Sequence, residues 1–140
     1  MAPWRAGSVG VMSPGFLAAM ASDSRMCLVG TWTGESICTS VRPACRDERA
    51  AYHISIPDQP ATVTVVMNKV VDGKEESMGT LLFHVDSEAK MLTSDFKRGD
   101  LHLLWTFTRA GSKMTGTLKQ LPDGAIVRNI RLARIKASAE

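Results

Sequence analysis

The sequence predicts an all-β fold, an eight-stranded antiparallel up-and-down barrel, and three observations carry that reading. Turn signals recur at short intervals: Pro57-Asp58-Gln59-Pro60, Asp72-Gly73, Arg98-Gly99, Ala110-Gly111 and Pro122-Asp123-Gly124. Between them run short segments rich in β-branched and aromatic residues with a two-residue apolar period. No segment sustains a helical period. Hairpin-linked strands pair with their neighbours in sequence, and eight twisted strands remove their edges by closing on themselves. A two-sheet sandwich usually needs a long crossover, and the one long connection here is the loop 40–49.

The strands are expected in this order. The first covers 27–39 and includes Gly30-Thr31-Trp32. The loop 40–49 follows, with Pro43, Cys45 and the charged run Arg46-Asp47-Glu48-Arg49. The second strand covers 51–56 and ends at the Pro57–Pro60 turn. The third covers 62–71, dense in β-branched residues. Asp72-Gly73 then makes a two-residue hairpin turn, because both positions tolerate positive φ. The remaining strands cover 76–85, 90–97, 101–108, 113–121 and 125–136.

Alternation assigns the inward faces. Val63, Val65 and Met67 oppose Thr62, Thr64 and Asn68. Leu101, Leu103, Trp105 and Phe107 oppose His102, Thr106 and Thr108. Met114, Gly116 and Leu118 oppose Lys113, Thr115, Thr117 and Lys119. The strand at 76–85 is less regular, with Leu81, Leu82 and Phe83 in a row. In the last strand Ile126, Ile130 and Leu132 share parity with Arg128 and Arg134. An unshifted strand sends both arginines inward, whereas a bulge near Ile130 turns them to solvent.

A chain of 140 residues makes one domain. Residues 26–136 form the barrel and 137–140 a tail. Residues 1–25 are rich in Ala, Gly, Ser and Pro and stand apart from it. Arg5, the apolar stretch 9–20 and Ala19-Met20-Ala21 resemble a secretory signal, interrupted by Gly10, Ser13, Pro14 and Gly15. A disordered tail, or initiation at Met26, is the other reading. No apolar run reaches the roughly 18–20 residues of a membrane helix, so no membrane span is expected. The net charge of +3, with acids and bases interleaved, gives no basis for nucleic-acid binding.

Three cysteines are present. Cys38 closes the first strand and Cys45 lies in the following loop, a spacing that suits a local disulfide pinning that loop, with Cys27 free. A disulfide favours an oxidising compartment, so a periplasmic or secreted location is slightly preferred over the cytoplasm. Neither a metal site nor a cofactor is expected, since His53, His84 and His102 are separated from one another and from the cysteines.

Gly30-Thr31-Trp32 on the first strand resembles the Gly-x-Trp opening of the calycin superfamily, which holds lipocalins, fatty-acid-binding proteins and avidins. The closing strand, Ile130-Arg131-Leu132-Ala133-Arg134-Ile135, resembles the Arg-bearing last strand of those barrels. Gly34–Thr39 with Arg42-Pro43-Ala44-Cys45 is similar to small bacterial proteins of lipocalin-like type. The resemblance covers residues 29–135. It implies that Trp32 plugs one end of the barrel and that Arg134 or Arg131 covers it through a cation–π contact. The chain departs from the fatty-acid-binding pattern, because the closing Arg-x-Tyr reads Arg134-x-Lys136 and the two capping helices are missing.

Catalytic motifs are not evident: there is no nucleophile elbow, phosphate loop or metal-ligand spacing. Asp47, Glu48, Glu75 and Glu76 are expected in loops or beside turns. Asp95 is read either inside the barrel or at its wet rim. The leading expectation is a barrel that binds a small lipophilic molecule. Its pocket would be lined by Val65, Met67, Leu103, Trp105, Phe107 and Met114, with Gly30, Gly34 and Gly116 leaving room. Tyr52, Arg128 and Arg134 are the candidate polar anchors, suited to an acidic head group if the arginines lack partners. Trp32, Cys38 and Cys45 are structural. Two alternatives stand beside it. One is a filled barrel serving as a structural or protein-interaction module. The other is an isomerase-like or dehydratase-like site using Tyr52 with His84 or Asp95.

Overall fold

The computed structural model describes residues 23–137; the signal-like features of 1–22 and the end of the tail lie outside them. The strands are β1 Gly30–Cys38, β2 Glu48–Ser55, β3 Thr62–Val71, β4 Lys74–Val85, β5 Met91–Arg98, β6 Leu101–Ala110, β7 Lys113–Gln120 and β8 Ala125–Ala137. Each pairs antiparallel with the next, and β1 pairs with β8, so the sheet closes into an eight-stranded up-and-down barrel. At the β3–β4 hairpin Asp72 and Gly73 have φ of 53° and 77°, the left-handed pair that a tight hairpin demands.

β2 begins three residues earlier than its apolar run suggests. Glu48 therefore belongs to the barrel wall, not to the solvated loop. Ahead of β1, Ser24–Cys27 form a 3-10 turn instead of the start of a strand, capped by the Asp23 carboxylate accepting from the Arg25 N–H. This turn seals the lower end. The Arg25 guanidinium donates to the carbonyls of Gln59 and Thr62, and the Ser24 hydroxyl donates to that of Ser87. Trp32 is fully buried, and its indole Nε1–H donates to the Leu28 carbonyl at 2.8 Å. Arg134 faces Trp32 across the β1–β8 seam. Its guanidinium donates to the carbonyls of Val29 and Met26, so it ties the turn to β8 through hydrogen bonds. Arg131, the other candidate cover, is exposed on the outer wall.

Two irregularities set the facing of β8. Leu118 pairs with Arg128, yet Lys119 pairs with Ile126, which leaves Val127 as an extra residue. Val127 is buried and Ile126 is 37% exposed, so the expected inward parity of Ile126 fails at this bulge. A second shift near Ile135 leaves that side chain 65% exposed. Neither bulge falls near Ile130. Arg128 and Arg134 both point inward, at opposite ends of the barrel.

The lower half is filled. Val63, Phe83, Leu92, Phe107, Met114 and Ile130 are all buried in one cluster with Trp32. Contrary to the expectation from the sequence, Gly34 and Gly116 do not leave room in the interior. A Cβ on Gly116 would strike the Phe107 ring, and one on Gly34 would strike the Arg131 carbonyl. These glycines admit a ring and a backbone, respectively, to close contact.

The Cys38–Cys45 disulfide is formed, with a Cα–Cα distance of 6.0 Å, and Cys27 is a free thiol. The pairing closes a short loop after β1, for which chain entropy gives a stabilisation of about 2–3 kcal/mol. Thiol titration of denatured protein should find one reactive thiol per chain. Reduction should lower the denaturant midpoint by a corresponding amount. Three thiols before reduction would remove the bond.

Candidate functional site: a chamber in the upper barrel

In the upper barrel, beside a smaller buried cluster of Leu103, Leu118 and Val127, a cavity of about 460 Å³ opens. Tyr52 and Trp105 line it, and Phe107 lies behind them, meeting Tyr52 edge-on at 6.2 Å and stacking with Trp105 at 6.5 Å. Met67 of β3, Leu81 of β4, Phe96 of β5, Leu103 of β6 and Leu118 of β7 supply the apolar wall. Their inward parity follows from strand alternation, and the volume lies within the ~300–1,000 Å³ of small-molecule sites.

The chamber opens sideways. β4 and β5 share only the rungs His84↔Thr93 and Val85↔Leu92. Above them the Ser94 hydroxyl donates to the Leu82 carbonyl at 2.9 Å, and then the strands part. Met78, Gly79 and Thr80 of β4 and Phe96 and Arg98 of β5 line the open side. Met78 is the extra residue of a bulge, because Met67 pairs with Gly79 while Asn68 pairs with Ser77. The top is strapped differently. In the loop between β1 and β2, Arg42 donates to the Gln120 side chain, the Thr39 hydroxyl donates to Ile126, and Asp47 accepts from the Cys38 N–H. Together with the disulfide, these contacts fix the loop to β7 and β8.

One corner of the chamber is polar. Arg128 donates through Nη1 to the Ser36 hydroxyl at 3.0 Å and to the Ser36 carbonyl at 3.3 Å. Through Nη2 it donates to the Arg46 carbonyl at 2.9 Å, with the Glu48 carboxylate 3.6 Å away. The internal carboxylate that balances Arg128 is thus Glu48, not Asp95. Tyr52 completes the corner at 2% exposure. Its phenol forms no hydrogen bond among the described residues. Burial, and after it the Glu48 carboxylate, push its pKa well up against the opposing pull of Arg128. The hydroxyl therefore stays protonated at physiological pH.

Of the residues singled out from the sequence, Tyr52, Met67, Leu103, Trp105 and Arg128 line this chamber. Val65, Phe107 and Met114 are buried in the packing below it, and Arg134 and Trp32 serve the opposite end. Ser36, Glu48, Leu81 and Phe96 were missed. Glu48 was findable, because it shares parity with Ala50, Tyr52 and Ile54, all buried. The Asp95 carboxylate lies on the outer wall, bonded to His102 at 2.7 Å. His84 is exposed, and His53 sits outside between Thr31 and Glu75. The barrel wall separates Tyr52 from His84 and Asp95, so those pairs form no acid–base site. Among the described residues no three metal-capable side chains cluster, and no helix is long and apolar enough to cross a membrane.

Comparison with protein-family models finds no match to this chain, and comparison with curated proteins finds none either.

Proposed function

We propose that this chain is a small lipocalin-like barrel, of the kind seen in the calycin superfamily, that holds one small apolar molecule in its upper chamber. The observation that carries this reading is the division of the interior. The lower half holds the buried cluster around Trp32, Phe83 and Phe107, while the upper half keeps about 460 Å³ behind an apolar wall with an open side. A barrel serving only as a scaffold would gain stability by filling that space, since every lining atom beside a void forgoes its dispersion contacts. The acidic head group expected from the sequence required unpaired arginines. Arg128 and Arg134 both have partners, and that motive is gone. The disulfide supports function in an oxidising compartment, periplasmic or extracellular.

The neutral dye N-phenyl-1-naphthylamine tests the reading. It should bind saturably at one site per chain with enhanced emission. Leu81→Trp, placed where a half-buried wall residue meets the opening, should weaken binding at least about tenfold by occupying the chamber, with the melting midpoint nearly kept. Absence of saturable binding, or an unaffected Leu81→Trp variant, would return the barrel to a scaffold role.

A further inference from the structure

We infer that the molecule held in the chamber is uncharged and presents one hydrogen-bond acceptor, a ketone, ester or amide carbonyl, to the Tyr52 hydroxyl. The inference rests on the chamber being a binding site and specifies what it selects.

Every charged group facing the chamber is accounted for. Arg128 is committed to Ser36, Arg46 and Glu48. Glu48 is one-fifth exposed, and its carboxylate lies close enough to Tyr52 to raise the phenol's pKa. Arg128 and Glu48 cancel, so the corner offers a ligand no net charge. A carboxylate seated there would face the Glu48 carboxylate across a site of reduced dielectric, and like charges at that range repel. Arg98 lines the opening, but it is exposed. An ion pair made by a solvated rim arginine is worth only ~0–1 kcal/mol.

The group left over is Tyr52. It is 2% exposed, lines the cavity and has no hydrogen bond among the described residues. The ring is buried, but the hydroxyl opens onto the chamber within reach of a ligand, since the one fully buried side-chain polar atom left without a partner among the described residues is Asn68 Oδ1. Because the phenol stays protonated, it has a proton to donate. A ligand oxygen that only accepts is its complement, with the carbon chain running along Met67, Leu103 and Trp105 toward the β4–β5 opening.

The test uses the full chain and displacement of N-phenyl-1-naphthylamine by 2-decanone and by decanoate at pH 8. The ketone should bind about tenfold tighter than the acid. Tyr52→Phe keeps the ring and its contact with Phe107, and should weaken the ketone about tenfold, the size of one hydrogen bond. The loss is read as the ratio of ketone to dye affinity within the same variant, which cancels any change in the chamber common to both. The carbonyl stretch of bound 2-decanone should lie at lower frequency in the wild type than in Tyr52→Phe. Glu48→Gln removes the repelling charge and leaves Arg128 without its counter-ion, so it should tighten decanoate about tenfold and hardly alter the ketone. Decanoate binding as well as the ketone in the wild type, or a Tyr52→Phe variant with undiminished ketone affinity, overturns the inference while dye binding keeps the chamber reading. A protein that binds no dye loses both.

Discussion

Trp32→Ala should destabilise the barrel by about 3–5 kcal/mol, the range for deleting a fully buried large aromatic side chain. The indole is 0% exposed and belongs to the same cluster as Leu28, Val63 and Phe83. Its removal leaves a void that a closed sheet collapses into poorly, because β1 is hydrogen-bonded on both sides. The change also strips the Leu28 carbonyl of its Nε1–H donor, adding the cost of a buried unsatisfied acceptor. The 3-10 turn then holds to the barrel mainly through Arg25 and Arg134. Urea melts of wild type and variant read the loss directly. A shift below about 1 kcal/mol would mean that Trp32 does not plug the lower end. The chamber lies at the other end, so dye binding by the folded fraction should persist.

The strands and their closure were legible in the sequence because turn chemistry and two-residue alternation are local properties. Asp72-Gly73 and the Val63–Val65–Met67 face each needed only a few neighbouring residues to be read. The Cys38–Cys45 bond was legible for the same reason. The chamber was only half legible. Alternation says that Met67, Leu103 and Phe107 all point inward, but not that Phe107 packs against Gly116 in the buried core while Met67 and Leu103 line the chamber. Whether an inward residue lines a void or fills one depends on its height in the barrel. Height in turn depends on strand stagger and on bulges such as Met78 and Val127, which arise between strands and leave no local mark. Glu48 was lost to a boundary: a charged run beside a Pro-containing loop reads as solvated, although its parity with Tyr52 placed it on the wall.

Gly34→Ala should cost about 3 kcal/mol, the upper part of the usual range for overpacking, although it adds a single methyl group. In β1, Gly34 pairs with Leu132 of β8 and lies between Trp32 and Ser36 on the inward-facing side. A Cβ there would overlap the Arg131 carbonyl, with the Leu132 Cα also only 2.9 Å away. Both obstacles are backbone in the ladder that closes the barrel, so no rotamer change relieves them. β8 must instead withdraw from β1. That movement weakens the seam at both of its neighbours, because Trp32 pairs with Arg134 and Ser36 with Ile130. The substitution therefore reaches the chamber as well as the fold. Arg128 is anchored to Ser36 across the same seam, and displacing it should loosen the polar corner beside Tyr52. Expected together are a lowered urea midpoint, faster amide exchange in β1 and β8 than in β3, and weaker dye binding by the protein that remains folded. Thr33→Ala, one residue away and on the outward-facing side of the strand, should change each of these little. A Gly34→Ala protein as stable as wild type would show that β8 does not cross β1 at this distance.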